Sequence, residues 1–163
     1  MILRSLVFAG GLAGALTTSQ FPEFSQQYTQ RLGGAVDALS EVVADFDASA
    51  TASGLSRAEA LSQLQGTPFL ERRRSDMARS IVRYERLSAD LAALAGQGPF
   101  MRAYNAARFT DGDIARAAWT AYEPALPLNF AGLIFAAAGF VLGSAVFGIA
   151  TRVLRRPFRR RQA

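Results

Sequence analysis

The chain has 163 residues, half of them hydrophobic, a net charge of +5, and neither cysteine nor histidine; all eighteen basic residues are arginine. These absences exclude disulfides, thiolate nucleophiles, zinc-finger spacings, histidine general bases and the lysine chemistry of Schiff bases and phosphate loops. All thirteen acidic residues lie between Glu23 and Glu123, beside eleven of the arginines, so the basic excess belongs to Arg4 and to the six arginines from Arg152 to Arg161.

The chain opens on MILR followed by SLVFAGGLAGAL. A basic start and a short apolar stretch are features of a signal peptide, and Ala13-Gly14-Ala15 matches a small-x-small cleavage site. The uncharged stretch nevertheless continues from Ser5 to Pro22, long enough for a retained membrane anchor, which is the reading favoured here for residues 1–20.

Residues 21–126 read as an all-helical unit. Phe24, Tyr28, Leu32, Val36, Leu39, Val43 and Phe46 recur every three or four positions, placing one apolar face along a helix from about Pro22 to Ala50. Gly33-Gly34 is expected to weaken it locally, at about 1 kcal/mol per glycine relative to alanine. Ser56-Arg57-Ala58-Glu59 forms a capping box for a short helix stopped by Gly66. Thr67-Pro68 opens a second long helix, with Leu70, Met77, Ile81, Tyr84, Leu87, Leu91 and Leu94 on its apolar face, ending at Gly96. Phe100, Tyr104 and Phe109 predict another helix; a TDGD turn follows, with Asp113 read as the cap of a last short helix carrying Ile114, Trp119 and Tyr122. No stretch alternates as a strand would, so the expected fold is all-α, a membrane-anchored antiparallel helical hairpin or bundle with one or two transmembrane helices.

From Ala131 to Ala150 there is no charge, and Ser144 is the one polar side chain. Twenty helical residues rise roughly 30 Å, the thickness of a bilayer core. Pro124 and Pro127 precede this segment and Asn129 is placed to cap it, so residues 127–151 form the expected second membrane helix. Residues 152–163 form a basic tail. Arg152, Arg155, Arg156, Arg159, Arg160 and Arg161 are expected to lie against anionic lipid headgroups, each contributing about 1 kcal/mol. The basic start and basic tail both belong on the cytoplasmic side. The expected location is a bacterial inner membrane, with both termini cytoplasmic and the centre periplasmic. A nucleic-acid arm is disfavoured, because the tail lacks aromatic interleaving beyond Phe158 and has no folded reading head.

Gly10 and Gly14 make one GxxxG pattern and Gly139 and Gly143 another, a spacing that lets helix backbones approach within a chain or between copies. Asp37, Glu41 and Asp45 stack on one side of the first long helix; Arg72, Arg79 and Arg86 form a stripe on the outward side of the second. Either stripe could face an oppositely charged partner or a second copy. The plainer alternative is a solvated face with local Arg72–Asp76 and Arg86–Asp90 pairs, each contributing a few tenths of a kcal/mol.

The stretch FPEFSQQYTQRLGGAVDALSEVVADFDASA, then GLSRAEAL, RYERL and an apolar helix after PALPL, resembles an uncharacterised bacterial membrane family, domain of unknown function 2937. The resemblance covers nearly the whole chain and is most specific from Gln30 to Asp47. It implies no activity and supplies no functional residues, but it agrees with the topology read from the arginines.

Two function classes follow. One is a non-enzymatic accessory or scaffold subunit, using its periplasmic helices to contact a protein partner or a second copy. The other is a module binding lipid or a small hydrophobic ligand, in a groove lined by Phe100, Tyr104, Trp119 and Tyr122. An enzyme is disfavoured: no cofactor or metal site is expected, Asp111-Gly112-Asp113 lacks the remaining ligands of a calcium loop, and no base stands by for a serine nucleophile.

Overall fold

The computed structural model describes the backbone of residues 2–122 and 129–159 and the side chains of residues 4–122 and 129–153. The described residues are helical, with no strand: α1 (Ile2–Ser19), α2 (Phe21–Ala52), α3 (Arg57–Gln63), α4 (Pro68–Leu94), α5 (Pro99–Tyr104), a 3-10 turn (Ala106–Arg108), α6 (Gly112–Thr120) and α7 (Phe130–Arg159). Pro124 and Pro127 lie outside the described residues. The chain divides into two compact units, one of residues 1–26, 98–103 and 121–163, the other of residues 27–97 and 104–120. The first turns of α2, and most of α5, thus belong with the apolar helices rather than with the 21–126 unit expected from sequence.

In the first unit α1 and α7 run antiparallel. Asn129 accepts the Gly132 N–H through its side-chain oxygen at 2.7 Å, so an asparagine caps α7. The segment Phe130–Val153 is long and apolar enough to cross a membrane, and only 6% of its most apolar stretch is buried within the protein. Leu133, Val141, Leu142, Val146 and Ile149 on α7, with Leu6, Phe8, Leu12 and Leu16 on α1, are exposed.

The second unit has a conventional core. Tyr28, Leu32, Val43 and Ala50 of α2, Ile81, Leu87 and Leu94 of α4, and Ile114 and Ala118 of α6 are buried. The ends of its helices follow local chemistry. Beyond α2 the Leu55 N–H reaches the Ala50 carbonyl and the Gly54 N–H reaches that of Thr51, each at 2.9 Å, which requires the left-handed backbone of Gly54 (φ 68°). Ser56 and Glu59 close a reciprocal capping box on α3, and Thr67 caps α4, with Pro68 in its first turn.

α2 runs unbroken through Gly33-Gly34, as the helix expected from about Pro22 to Ala50 does, with Leu32 and Val43 buried on either side of the two glycines. One local expectation is corrected. The single helix expected across Phe100, Tyr104 and Phe109 is broken: α5 stops at Tyr104, a 3-10 turn follows, and Phe109 lies beyond it. The break turns Phe109 onto Tyr28, with ring centroids 4.5 Å apart.

Candidate functional site

The seam between α1 and α7 is built from glycine. A Cβ on Gly14 would lie well inside van der Waals contact distance of the Gly139 carbonyl oxygen and 3.2 Å from the Gly143 Cα; one on Gly143 would strike the Gly10 carbonyl. The structure therefore brings Gly10, Gly14, Gly139 and Gly143 together, with bare backbone facing bare backbone. Gly11 joins them, facing Phe140 and Ser144. One turn further along, the Thr18 hydroxyl lies 2.7 Å from the Phe135 carbonyl and can donate to it across the seam. Phe8 meets Phe140 edge-on, with centroids 5.7 Å apart. Close approach of this kind supports helix pairing by van der Waals contact, which lipid does not otherwise favour.

In the second unit a polar knot ties three helices together. Asp111 is 7% exposed and sits between Arg83 Nη2 at 3.1 Å and Arg86 Nη2 at 3.3 Å, both from α4. Its other carboxylate oxygen accepts the backbone N–H groups of Asp113 and Ile114, at 3.2 and 3.1 Å. Its own N–H donates to the Tyr28 hydroxyl oxygen from α2, at 3.2 Å. Close by in the chain, Thr110 donates to Asp90 Oδ2 at 2.6 Å, and Arg108 stands 3.5 Å from Oδ1. Asp90 is only 2% exposed. Burial pushes the Tyr28 phenol up, against the lowering effect of its hydrogen bond from the Asp111 backbone.

This arrangement corrects three expectations. Asp111, not Asp113, caps α6, because only Asp111 precedes the first helical residue with its carboxylate turned back onto the free N–H groups. Arg86 reaches Asp111 rather than Asp90, so the basic stripe is not wholly outward, and Asp90 turns inward to Thr110 and Arg108. Asp76 pairs with Arg79 rather than Arg72. In the two ion-pair cases another partner takes the place of the expected i,i+4 pair, which would contribute little.

α3 is fastened by Arg57, which holds Asp47 of α2 through Nε at 2.7 Å and Nη2 at 2.5 Å, and stands 3.7 Å from Glu85 of α4. The Arg57 hydrogen bonds hold the Asp47 carboxyl below the usual carboxylate range; Ser56 does the same for Glu59. These contacts have no local signature, since Asp47 and Arg57 are separated by the end of one helix and the start of another.

Asp37, Glu41 and Asp45 are exposed on α2, and Arg72, Arg79 and Arg86 are exposed on α4. Arg152 is exposed on α7; the side chains of Arg155, Arg156 and Arg159, and Arg160 and Arg161 entirely, lie outside the described residues. Of the four aromatics read as a groove, Phe100 and Tyr122 fall in the first unit and Tyr104 and Trp119 in the second. The Tyr122 hydroxyl hydrogen-bonds Gln20, whereas Tyr104 is 84% exposed. Among the described residues no three acidic side chains are grouped to hold a metal ion.

A family model described as a protein of unknown function (DUF2937) matches residues 2–160. No curated protein and no solved structure matches the chain.

Proposed function

The chain belongs to the DUF2937 family of proteins of unknown function, and on that premise we propose that it is a non-enzymatic protein of a bacterial inner membrane. In this reading α1 and α7 cross the bilayer as a glycine-seamed pair, and the second unit stands in the periplasm as an accessory or scaffold surface. The observation that carries it is the exposed face of the pair. Val141, Leu142, Val146 and Ile149 are each 60% exposed or more, a contiguous apolar surface that water does not tolerate and lipid does.

The arginines orient the pair. Arg4 precedes the apolar part of α1, and Arg152 begins the basic run after that of α7, so both ends face the cytoplasm. The scaffold reading draws on how the second unit uses its acids: Asp90 and Asp111 are buried carboxylates engaged by half-exposed arginines, while Asp37, Glu41 and Asp45 remain as an exposed acidic column. Buried, fully engaged carboxylates tie helices together; an exposed column offers a basic partner protein, or a second copy, a complementary surface.

The test is extraction and capture. The chain should stay in the membrane fraction through a high-salt wash and, in mild detergent, should retain a protein partner or a second copy that Asp37→Asn, Glu41→Gln, Asp45→Asn together release. Recovery of the washed chain in the soluble fraction would contradict the anchoring. A strictly monomeric, partner-free chain would contradict the scaffold role.

A further inference from the structure

Two sets of charges in the second unit have no ion-pair partner among the described residues. Asp37, Glu41 and Asp45 stand in line on the outer side of α2, and Arg72 and Arg73 stand in the first turns of α4. All five are exposed, and none takes part in the ion pairs of the chain. Other acids of the unit behave differently: Asp47, Asp76, Asp90 and Asp111 are each held by an arginine.

The start of α4 is also uncovered. The buried residues of this helix are Ile81, Leu87, Asp90 and Leu94, so it runs from Pro68 to Ser80 without one, and α3 before it has none. A helical stretch of that length without a packed face is marginal in water. Phe69, its largest apolar side chain, is 70% exposed, and three- and four-residue spacing puts it on one face with Arg72 and Arg73. Leu87, about five helical turns further on, lies along the same line of α4 and is fully buried. The face that packs in the second half of α4 therefore continues bare into the first.

We propose that a second copy of this chain covers both surfaces, in a twofold dimer that lays the start of α4 of each copy against the acidic column on α2 of the other. The inference rests on the scaffold reading of that column and names its partner. Charge complementarity carries it: one unit holds an unpaired acidic line and an unpaired basic turn, and a twofold axis brings each to its complement twice over. The column spans about 12 Å along α2. Ala38 and Ala48, exposed beside it, leave room for a helix to come near, and Phe69 supplies the aromatic side chain that such a contact buries.

Two variants of the full-length chain in dodecyl maltoside are followed by analytical ultracentrifugation, alone and mixed in equal amounts. In the first, Asp37→Arg, Glu41→Arg and Asp45→Arg make both surfaces basic; in the second, Arg72→Glu and Arg73→Glu make both acidic. The wild type dimerises at about 10 μM, each variant alone associates about tenfold or more weakly because like charges meet at both contacts, and the mixture recovers a dimer with one chain of each. A monomeric wild type overturns the proposal, as does a mixture that stays monomeric, or variants that each dimerise as well as the wild type, as a dimer held by α1 and α7 would. Helical content is followed by circular dichroism; if either variant loses it, a wild-type dimer indifferent to sodium chloride between about 0.05 and 0.5 M overturns the proposal instead. A monomeric chain that captures a basic protein, and releases it on Asp37→Asn, Glu41→Gln and Asp45→Asn together, refutes the second copy and leaves the scaffold reading intact; a monomeric chain that captures none refutes both.

Discussion

The Tyr28 hydroxyl oxygen accepts the backbone N–H of Asp111, a residue 83 positions later in the chain. Tyr28 is fully buried, and the amide lies in the loop that starts α6. Tyr28→Phe keeps the ring against Phe109 but leaves that amide without its acceptor. The variant should lose about 1–3 kcal/mol of stability, the cost of an unmade buried hydrogen bond, in a denaturant titration followed by circular dichroism. Tyr104→Phe, at a tyrosine 84% exposed, should stay within about 0.5 kcal/mol of wild type. Equal losses in the two variants would remove the bond from the account.

Glycines in this chain play two opposite parts. Gly14→Ile places a branched side chain where even a Cβ meets the Gly139 carbonyl, so α1 and α7 must separate and thermal stability in detergent should fall. Gly33→Ala and Gly34→Ala meet nothing within 4 Å in the middle of α2, and each should raise stability by up to about 1 kcal/mol. A stabilising Gly14→Ile would mean that the seam does not hold the two helices.

Much of the helical pattern could be read locally, and the reason lies in the range of the interactions. The Ser56–Glu59 capping box and the Thr67-Pro68 start involve neighbours three residues apart, so four letters suffice to see them. The apolar rows of α2 and α4 are periodic, and periodicity is visible without a partner. The polar knot was not legible in the same way. Whether Arg86 pairs with Asp90 or with Asp111 depends on where a loop 25 residues away returns, and whether Asp111 or Asp113 caps α6 depends on backbone turns that either residue permits.

Stability should fall on both sides of neutral pH, for separate reasons. Asp47 and Glu59 have carboxyls held below their ordinary range, by Arg57 and Ser56 respectively. Their stabilising contribution is therefore complete above that range and is lost as pH falls through the folded values, from about pH 5 downward. Tyr28 has its phenol pushed up, chiefly by burial, so its contribution is complete below about pH 10 and is lost as pH rises beyond it. Melting temperatures across the pH range test both limbs. Asp47→Asn should be less stable at neutral pH and show a shallower acid limb, whereas Tyr28→Phe should flatten only the alkaline one. An acid limb unchanged in Asp47→Asn would show that Arg57 does not stabilise the charged form.

The proposed arrangement across the membrane is tested most directly by single cysteines, because the chain contains none of its own. Ala89 is exposed on α4, so Ala89→Cys should react with a membrane-impermeant thiol reagent in intact spheroplasts. Ala163→Cys, beyond the arginine run, should react only after lysis. That pair of results is what a periplasmic second unit and a cytoplasmic tail predict; labelling of Ala163→Cys in intact spheroplasts, with Ala89→Cys protected, would contradict the orientation and every periplasmic contact that depends on it.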